Sequence, residues 1–389
     1  MDFNHQVCHT DPPKDEGEKH FKKKAALIQM LEILHPCINQ GIRMTVLFVL
    51  LGTMGFSQSY WVKYGWQAFN SAGDARILAM GGAAVTDFGT SVSPLFNPAA
   101  SGKVGIHNLN YTHQSRLAGM INSDLLGFPI QNFSRPLNLI IIHEGIDQIP
   151  DTRNILLDFG LDGIPGTGDI GEGNGTLDEG ERLDEDKLKY FSQRQLGLHL
   201  STSWKKDNFE LGIAVKSLFH SIGEHSGSGI GLDFGVLAVP WKNGRLGLTI
   251  RDITTSWQVW ENGTIERFKP TVIAGLSQKY RFENMPLTVS GMVNIYLDGN
   301  GKSLDDDIHL GDNGANYLLG FNAVYDNKIA LRLGRNAIGS TTGGIGLSWD
   351  NLSLDYAFLN EPSGSGLGAS HMVSLAVNSN WIRQYVEKL

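Results

Sequence analysis

The sequence has little of what most soluble proteins depend on. Its 389 residues include only two cysteines, Cys8 and Cys37, and no Cys-x-x-Cys pair. Zinc-ribbon folds and disulfide frameworks therefore have no support. No Gly-x-x-x-x-Gly-Lys loop is present, so a P-loop has no support either. Charged residues make up 19% of the chain and the net charge is −8, without the basic stripe of a nucleic-acid-binding protein.

The chain also has no apolar run that suits a membrane-spanning helix. Its clearest apolar run, 46–56, has 11 residues, whereas a spanning helix needs about 20. Together with the small residues Gly55 and Ser57, this run resembles a secretory signal peptide that is cleaved before Gln58. Either Met1 or Met44 can be the true start, and we favour Met44. The segment 1–57 is predicted to be an N-terminal extension with a signal peptide, so the exported chain would contain no cysteine.

What the sequence has instead is glycine, 47 residues in all, and short segments of alternating polarity. Side chains that alternate with a period of two indicate strands with one apolar and one polar face. Most of these segments have 9–14 residues, close to the about 9–11 of a membrane-spanning strand and longer than soluble strands. We count fourteen of them: 105–115, 118–129, 137–146, 190–204, 208–221, 227–240, 244–254, 271–282, 286–298, 316–325, 327–337, 341–349, 351–361 and 367–379.

The connections between these segments alternate in length. Every second connection is short, as in the sequences KKDN and WKNGR, whereas most of the others are long and rich in glycine. Short turns at one end and long loops at the other are typical of outer-membrane barrels. A soluble β-sandwich is the competing interpretation. We predict an all-β membrane protein, an outer-membrane barrel of about 14 antiparallel strands over 105–379, with its long loops outside the cell.

A segment rich in small residues precedes the first strand. It covers 58–104 and contains the sequence SAGDARILAMGGAAVTDFGTSVSPLFNPAA. A barrel of fourteen strands leaves a lumen wide enough to be filled, so this segment is predicted to enter from the periplasmic side and fold inside as a hatch. Gly81 and Gly82 would let its backbone approach the wall closely. Asn97-Pro98 is a turn signal near its end.

Charges on the polar face of the strands are predicted to line the lumen. Two roles are open for Arg76 in the hatch: pairing with a wall carboxylate, either Asp233 or Asp355, which we favour, and binding of an anionic ligand or a partner. After the last strand, 380–389 is predicted to be a short periplasmic tail that offers a contact for a partner.

Two stretches of the chain resemble a known family. The sequences GDARILAMGGAAV and SPLFNPAA resemble the N-terminal signature of the PorV/PorQ outer-membrane proteins, which are relatives of the FadL transporters. LDYAFLNEPSGSGLGASHMVSLAV (354–377) resembles their closing hairpin. The resemblance implies a FadL-like barrel with a hatch in the bacterial outer membrane, and a role in type IX secretion without enzymatic activity. It also implies partners: outer-membrane lipid, secreted cargo proteins with a C-terminal signal domain, and other secretion-system subunits.

Two further functions stay open at this point. One is a FadL-like channel for hydrophobic small molecules. The other is a lipid deacylase that uses a serine and a histidine at the outer rim, for which Ser221 with His220 and Ser370 with His371 are the candidates. Neighbouring residues on a strand point to opposite faces, so neither pair forms a dyad by itself. We assign no catalytic residue.

The long connection at 147–189 is strongly acidic. Twelve Asp or Glu and two Arg lie within 147–186. An EF-hand alignment of 170–181 places glycine and glutamate where such a loop needs them, but Ile170 stands at the first ligand position. The loop is therefore not an EF-hand, and the alternatives are a calcium site of another kind and an acidic loop without metal. The candidate calcium ligands are Asp169, Glu172, Asn174, Asp178 and Glu181.

Overall fold

The computed structural model describes residues 59–387, apart from 64, 106–107, 131–132, 254, 302, 304–305, 312 and 361–367. The predicted extension and signal peptide, 1–57, and both cysteines lie outside the described residues.

Fourteen long strands form the main sheet, and each lies within or overlaps one of the predicted segments. They are β1 (Asn108–Arg116), β2 (Ile121–Ile130), β3 (Leu137–Asp151), β4 (Lys189–Lys206), β5 (Phe209–Ile222), β6 (His225–Trp241), β7 (Gly244–Arg251), β8 (Thr271–Arg281), β9 (Leu287–Leu297), β10 (Asn313–Tyr325), β11 (Ile329–Arg335), β12 (Thr341–Ser348), β13 (Leu352–Leu359) and β14 (Ser370–Asn378).

The sheet closes on itself. Each strand pairs antiparallel with the next along the chain. The last strand then pairs with the first, from Asn378 opposite Asn108 to His371 opposite Ser115. A closed sheet leaves no row of unpaired backbone groups, which is what a bilayer demands of a spanning β-structure. The predicted closed barrel of 14 antiparallel strands is confirmed.

The distribution of side chains is the reverse of that in a soluble protein. Polar and charged side chains face inward and are buried, among them Thr112, Gln114, Ser123, Asn138, His199, Lys216, Asp233, Thr249, Arg251, Asn294, Arg332, Thr342, Asp355 and Ser374. Large apolar side chains on the same strands face outward and are exposed, among them Leu196, Leu200, Ile213, Val215, Phe219, Leu232, Leu246, Leu276, Val293, Ile295, Leu319, Leu331, Leu333, Ile345, Leu354, Val373 and Leu375. The outer face is therefore built to meet lipid.

Aromatic side chains mark one boundary of this apolar belt. Phe209, Trp241, Tyr280, Tyr325 and Trp349 all lie where strands meet the short turns, and each is 46–58% exposed. Aromatic rings of this kind concentrate at the interface between lipid and water. We call these five residues the lower aromatic girdle.

The turns at the girdle end are tight. Asp207, Asn243 and Asp326 have positive φ angles, which asparagine and aspartate tolerate better than other non-glycine residues. At the other end, connections such as 152–188 and 252–270 are long. The connection after β5 is an exception at this end, because β5 and β6 continue as a hairpin with only 223–224 between them.

One long connection adds strands to the wall. β7 ends at Arg251, earlier than predicted, because Asp252 has a φ of 55° and its N–H donates to Asp233 at 2.9 Å. The chain then forms a hairpin, Ser256–Trp260 and Ile265–Phe268, whose first strand pairs with the upper part of β6.

The hatch begins against this hairpin. Ser59–Trp61 pairs in parallel with Ile265–Phe268 at the long-loop end of the barrel. The hatch then passes through the lumen and reaches β1 at the short-turn end. The expectation that it enters from the periplasmic side is therefore wrong for its described part.

The remaining elements are short. Helices Gln67–Ser71 and Ala75–Leu78 and the 3₁₀ turns Ser93–Leu95 and Pro98–Lys103 belong to the hatch. Ser379–Val386 is a helix in the predicted tail, and Leu156–Leu157, Arg182–Leu183, Glu185–Lys187 and Ile308–Leu310 lie in loops. Among the described residues, no helix has the length and apolar character to cross a membrane.

Candidate functional site: the hatch in the barrel lumen

The hatch fills the lumen with small, tightly packed residues. Ala75, Ile77, Ala79, Met80 and Ala83 are all fully buried. Their small size lets short helices and turns fit between facing walls, which is why the segment shows neither a helical nor a strand period in the sequence.

The predicted partner of Arg76 is corrected by the structure. Its guanidinium binds Asp87 of the hatch itself in a two-pronged contact, with Nη1–Oδ1 at 3.1 Å and Nη2–Oδ2 at 2.5 Å. The two wall carboxylates have other partners: Asp355 binds Arg332 at 2.6 Å, and Asp233 binds Lys216 at 3.0 Å. The sequence could not reveal this, because it gave no sign of the turn that brings Asp87 back to Arg76.

The environment of Asp87 fixes its charge. Burial alone would raise the pKa of this carboxyl, but Arg76, the Ser93 hydroxyl at 2.7 Å and the Gly89 N–H hold the pKa well below its usual range. The neighbouring Asp74 is also buried and caps the helix that carries Arg76, accepting from the Ile77 N–H at 2.7 Å. The hatch is thus held together by its own ionic contact and cap.

The two predicted glycines sit in left-handed backbone close to the wall. Gly81 has a φ of 68°, and a Cβ there would lie 2.3 Å from the backbone oxygen of Arg335 on β11. Gly82 has a φ of 73°, with Leu318 3.7 Å from the corresponding position. Gly81 is therefore needed for both its conformation and the close approach, and Gly82 for its conformation.

Asn97-Pro98 fits into a gap in the wall. Gly212 of β5 lies opposite Gly235 of β6, so no side chain projects inward at this point. A Cβ on Gly212 would lie 2.1 Å from the Ala99 nitrogen, and one on Gly235 would lie 2.0 Å from Oδ1 of Asn97. The wall at this point is shaped to receive the turn.

The Asn97 side chain joins hatch and wall. Its Nδ2 donates to the Val85 carbonyl at 2.8 Å and to the Val236 carbonyl of β6 at 3.0 Å, while its Oδ1 accepts from the Ala99 N–H at 3.0 Å. The residue is fully buried and caps the 3₁₀ turn that Pro98 begins. One side chain thus closes the turn and anchors it to the wall.

The largest apolar cluster of the described interior runs along the hatch, in a lumen that polar side chains line in large part. We give the name apolar seam to the contact between hatch side chains and four inward-facing wall residues. The wall residues are Leu125 of β2, Ile140 and Ile142 of β3, and Leu218 of β5, all at most 1% exposed. The other members are Phe268 of the loop hairpin and the hatch residues Trp66, Ala68, Phe69, Ala72, Ile77, Ala84, Val92, Leu95 and Phe96.

The mouth of the seam combines aromatic rings with a buried ammonium group. Trp66 stacks on Phe69 with ring centroids 5.4 Å apart, and Phe268 lies 6.1 Å from Trp66. Nζ of Lys216 lies 5.4 Å above the Trp66 ring and also binds Asp233 at 3.0 Å and Asp252 at 2.8 Å. The pairing with two carboxylates offsets the cost of burying this charge.

The five candidate calcium ligands do not converge on one point. Glu181 accepts from the N–H groups of Gly160 and Asp178, Glu172 accepts from those of Gly166 and Gly168, and Asn174 donates to Asp178 at 2.6 Å. Asp169 accepts from the Asp162 N–H at 2.8 Å. Within the described residues, no three His, Cys, Asp or Glu side chains are arranged to hold a metal ion. The calcium site stays a prediction.

Ser370 and His371, one of the two candidate serine–histidine pairs, point to opposite faces of their strand. Ser370 is buried at the lumen side, whereas His371 points outward and its Nδ1 lies 2.8 Å from the Tyr356 hydroxyl. The other candidate histidine, His220, has its Nδ1 3.1 Å from Nε2 of Gln258. Neither contact joins a histidine to its neighbouring serine.

Sequence reasoning missed the aromatic mouth and the glycine gap. The dipeptide Asn262-Gly263 is a strong hairpin signal and could have revealed the hairpin that supplies Phe268. Gly212 and Gly235 both stand at inward-facing positions of their strands, which hinted at a close approach. Their mutual alignment depends on strand register, which the sequence leaves unspecified.

The comparisons with known proteins find similar architecture at low identity. The toluene transporter TodX of Pseudomonas putida is 13% identical with a TM-score of 0.47, covering 79% of this chain and 98% of its own. A FadL homologue of Pseudomonas aeruginosa is 12% identical with a TM-score of 0.40, covering 79% and 98%. The monoaromatic hydrocarbon channel CymD is 12% identical with a TM-score of 0.45, covering 78% and 97%.

No family model and no curated protein matches the chain. With identities near 12% and TM-scores below 0.5, the similarity to hydrocarbon channels carries no conclusion about function. The architecture rests on the strand pairing of this chain itself.

Proposed function

We propose that this protein is a bacterial outer-membrane channel for hydrophobic small molecules, opened and closed by its hatch. The observation that carries the proposal is the apolar seam. Leu125, Ile140, Ile142 and Leu218 turn large apolar side chains into the lumen and pack with the hatch in one cluster, whereas many other inward positions of the wall hold polar or charged side chains. A porin for polar solutes has no use for such a surface, but a hydrophobic molecule that leaves water would be stabilised along it.

The structure corresponds to a closed state under this proposal. Two open depressions lie at the short-turn end, one formed by 281–286 and the other around Asn108 and Asn378. Trp66 and Phe69 occupy the mouth of the seam from within. A hydrophobic solute would therefore take the place of hatch side chains, and transport requires the hatch to move.

A disulfide that locks the hatch tests the proposal. A Cβ built on Gly320 of β10 lies 3.3 Å from the Cβ of Ala83, slightly below the about 3.5–4.5 Å of a disulfide, and 2.9 Å from the Met80 carbonyl oxygen, so the hatch must shift slightly and the Gly320→Cys single variant is needed to measure the effect of that crowding. The variant Ala83→Cys/Gly320→Cys, with Cys8 and Cys37 changed to Ser, should lose uptake of labelled toluene or fatty acid when oxidised. Uptake should return on reduction, and each single cysteine variant serves as the control. Full uptake by the oxidised double variant would contradict a gating hatch.

A second candidate function is cargo handling in type IX secretion, as the PorV/PorQ resemblance implies. The acidic loop 152–188 favours it, because Leu161, Ile164, Ile170 and Leu177 are 57–85% exposed among its carboxylates. Exposed apolar side chains in an extracellular loop suit a protein partner. Tagged barrels with and without 158–186 should be purified from outer membranes. Secreted proteins that share a C-terminal domain would accompany only the intact barrel, and a barrel that carries lipid or fatty acid alone would favour the channel.

A further inference from the structure

The chain does not end with its last barrel strand. Directly after β14 it forms the helix Ser379–Val386, which we call the C-terminal helix. At 100° per residue, Trp381, Ile382 and Val386 fall on one face, and they are 44%, 42% and 61% exposed. Asn380, Arg383 and Gln384 occupy the other side of the helix, and Glu387 follows directly after it.

The C-terminal helix begins at the lower aromatic girdle. Asn378 is the last residue of β14, and its N–H donates to the carbonyl of Asn351 at 3.0 Å, in the turn that follows Trp349. Trp349 is a member of the girdle and is 58% exposed. The exposed apolar face of the helix therefore starts at the level where the lipid-facing surface of the barrel ends.

The helix needs support that its own length does not give. A helix of eight residues is too short to be stable in water by itself, since isolated helices shorter than about 12–15 residues are marginal. A membrane interface stabilises such an element by burying its apolar face about 5–10 Å into the boundary between headgroups and acyl chains. Tryptophan on that face favours the same location.

We propose that the C-terminal helix lies flat on the short-turn surface of the membrane that the barrel spans, with Trp381, Ile382 and Val386 inserted into lipid. Its partner is a lipid surface, because the helix begins at the girdle, where the lipid-facing belt of the barrel ends. Arg383 on the polar side remains in water near the headgroups, where it pairs with Glu387 at 3.5 Å. This contact would fix the closing strand β14 at the interface, whatever the barrel transports.

Site-specific labelling tests the proposal on the full chain. In a background with Cys8 and Cys37 changed to Ser, single cysteines replace Ile382, Val386 or Gln384, and each is labelled with the polarity-sensitive dye NBD. Gln384→Cys is the matched control, since it lies in the same helix turn on the polar face. The purified protein is placed in phosphatidylethanolamine and phosphatidylglycerol vesicles, with and without lipids brominated near the headgroup end of their chains.

If the helix is inserted, the labels at 382 and 386 should show blue-shifted emission. Brominated lipids should also quench these two labels several-fold more strongly than the label at 384. Equal, water-like emission at all three positions in lipid would overturn the proposal, and so would a shift at 382 and 386 that needs an added protein partner. Heat-dependent migration in SDS gels verifies that each labelled barrel is folded.

Discussion

The ionic contact within the hatch gives the sharpest prediction. Asp87→Asn removes the negative charge with almost no change in shape, and it leaves the Arg76 guanidinium without its two-pronged partner. The two side chains are 15% and 10% exposed. Breaking a buried pair on one side costs about 3–5 kcal/mol, and we take about 3 kcal/mol because some solvent reaches this one.

A loss of this size should be visible as local opening. About 3 kcal/mol corresponds to roughly a hundred-fold rise in the open population of the hatch. Hydrogen exchange followed by mass spectrometry should therefore show much faster exchange of the hatch amides between residues 75 and 101, while exchange in the barrel strands stays unchanged.

The matched control is the double variant Arg76→Met/Asp87→Asn, which removes both charges and keeps an acceptor oxygen at position 87 for the Ser93 hydroxyl and the Gly89 N–H. Removing both charges of a buried ion pair leaves no unpaired charge behind, so this variant should exchange close to the wild-type rate. The reasoning would be refuted if Asp87→Asn exchanged at the wild-type rate, or if the double variant opened as much as the single one.

Three further predictions concern the same interior and its outer loop. Asn97→Ala should cost about 1–3 kcal/mol, because it leaves the buried Val85 carbonyl without its donor; exchange of the amides at 99–103 should rise, and no rise would contradict the anchoring role. The pKa of Asp87 in the folded hatch lies below its unfolded value of about 3.9, so the stability that its charge gives the closed hatch is complete above that value and is lost as the pH falls through the folded pKa. Hydrogen exchange of the hatch amides, corrected for intrinsic rates, should therefore rise below about pH 4 in the wild type but not in the double variant. Millimolar calcium should protect loop 152–188 from proteolysis if the predicted site exists, and Glu181→Gln should weaken this protection; equal cleavage with calcium and with chelator would reject the site.

The barrel was predictable because its signals are local and repeated. Each strand carries its own period of two, and the length and number of strands follow from the sequence alone. Segment 244–254 was predicted too long, because the left-handed backbone at Asp252 ends the strand through a contact with Asp233 on another strand. Such a contact depends on register and leaves no periodic trace.

The interior was less predictable than the wall. The small residues of the hatch indicated a filled lumen, but its path and the Arg76–Asp87 contact depend on turns that no period announces. The apolar seam arises from inward-facing residues of three strands that are separated in the chain, such as Ile140 and Leu218. Each of them looks unremarkable on its own strand, and only closure of the barrel brings them together.

The most direct test of the channel proposal is to map where a hydrophobic molecule contacts the protein in a membrane. A photoreactive, radiolabelled aryl diazirine should be activated with the intact barrel in vesicles, and the labelled residues read by peptide sequencing. Outward-facing Phe219 will be labelled in any case, because it meets lipid. The account predicts additional labelling of its inward-facing neighbour Leu218 and of Ile140, which excess toluene suppresses. Labelling confined to outward-facing residues would contradict it.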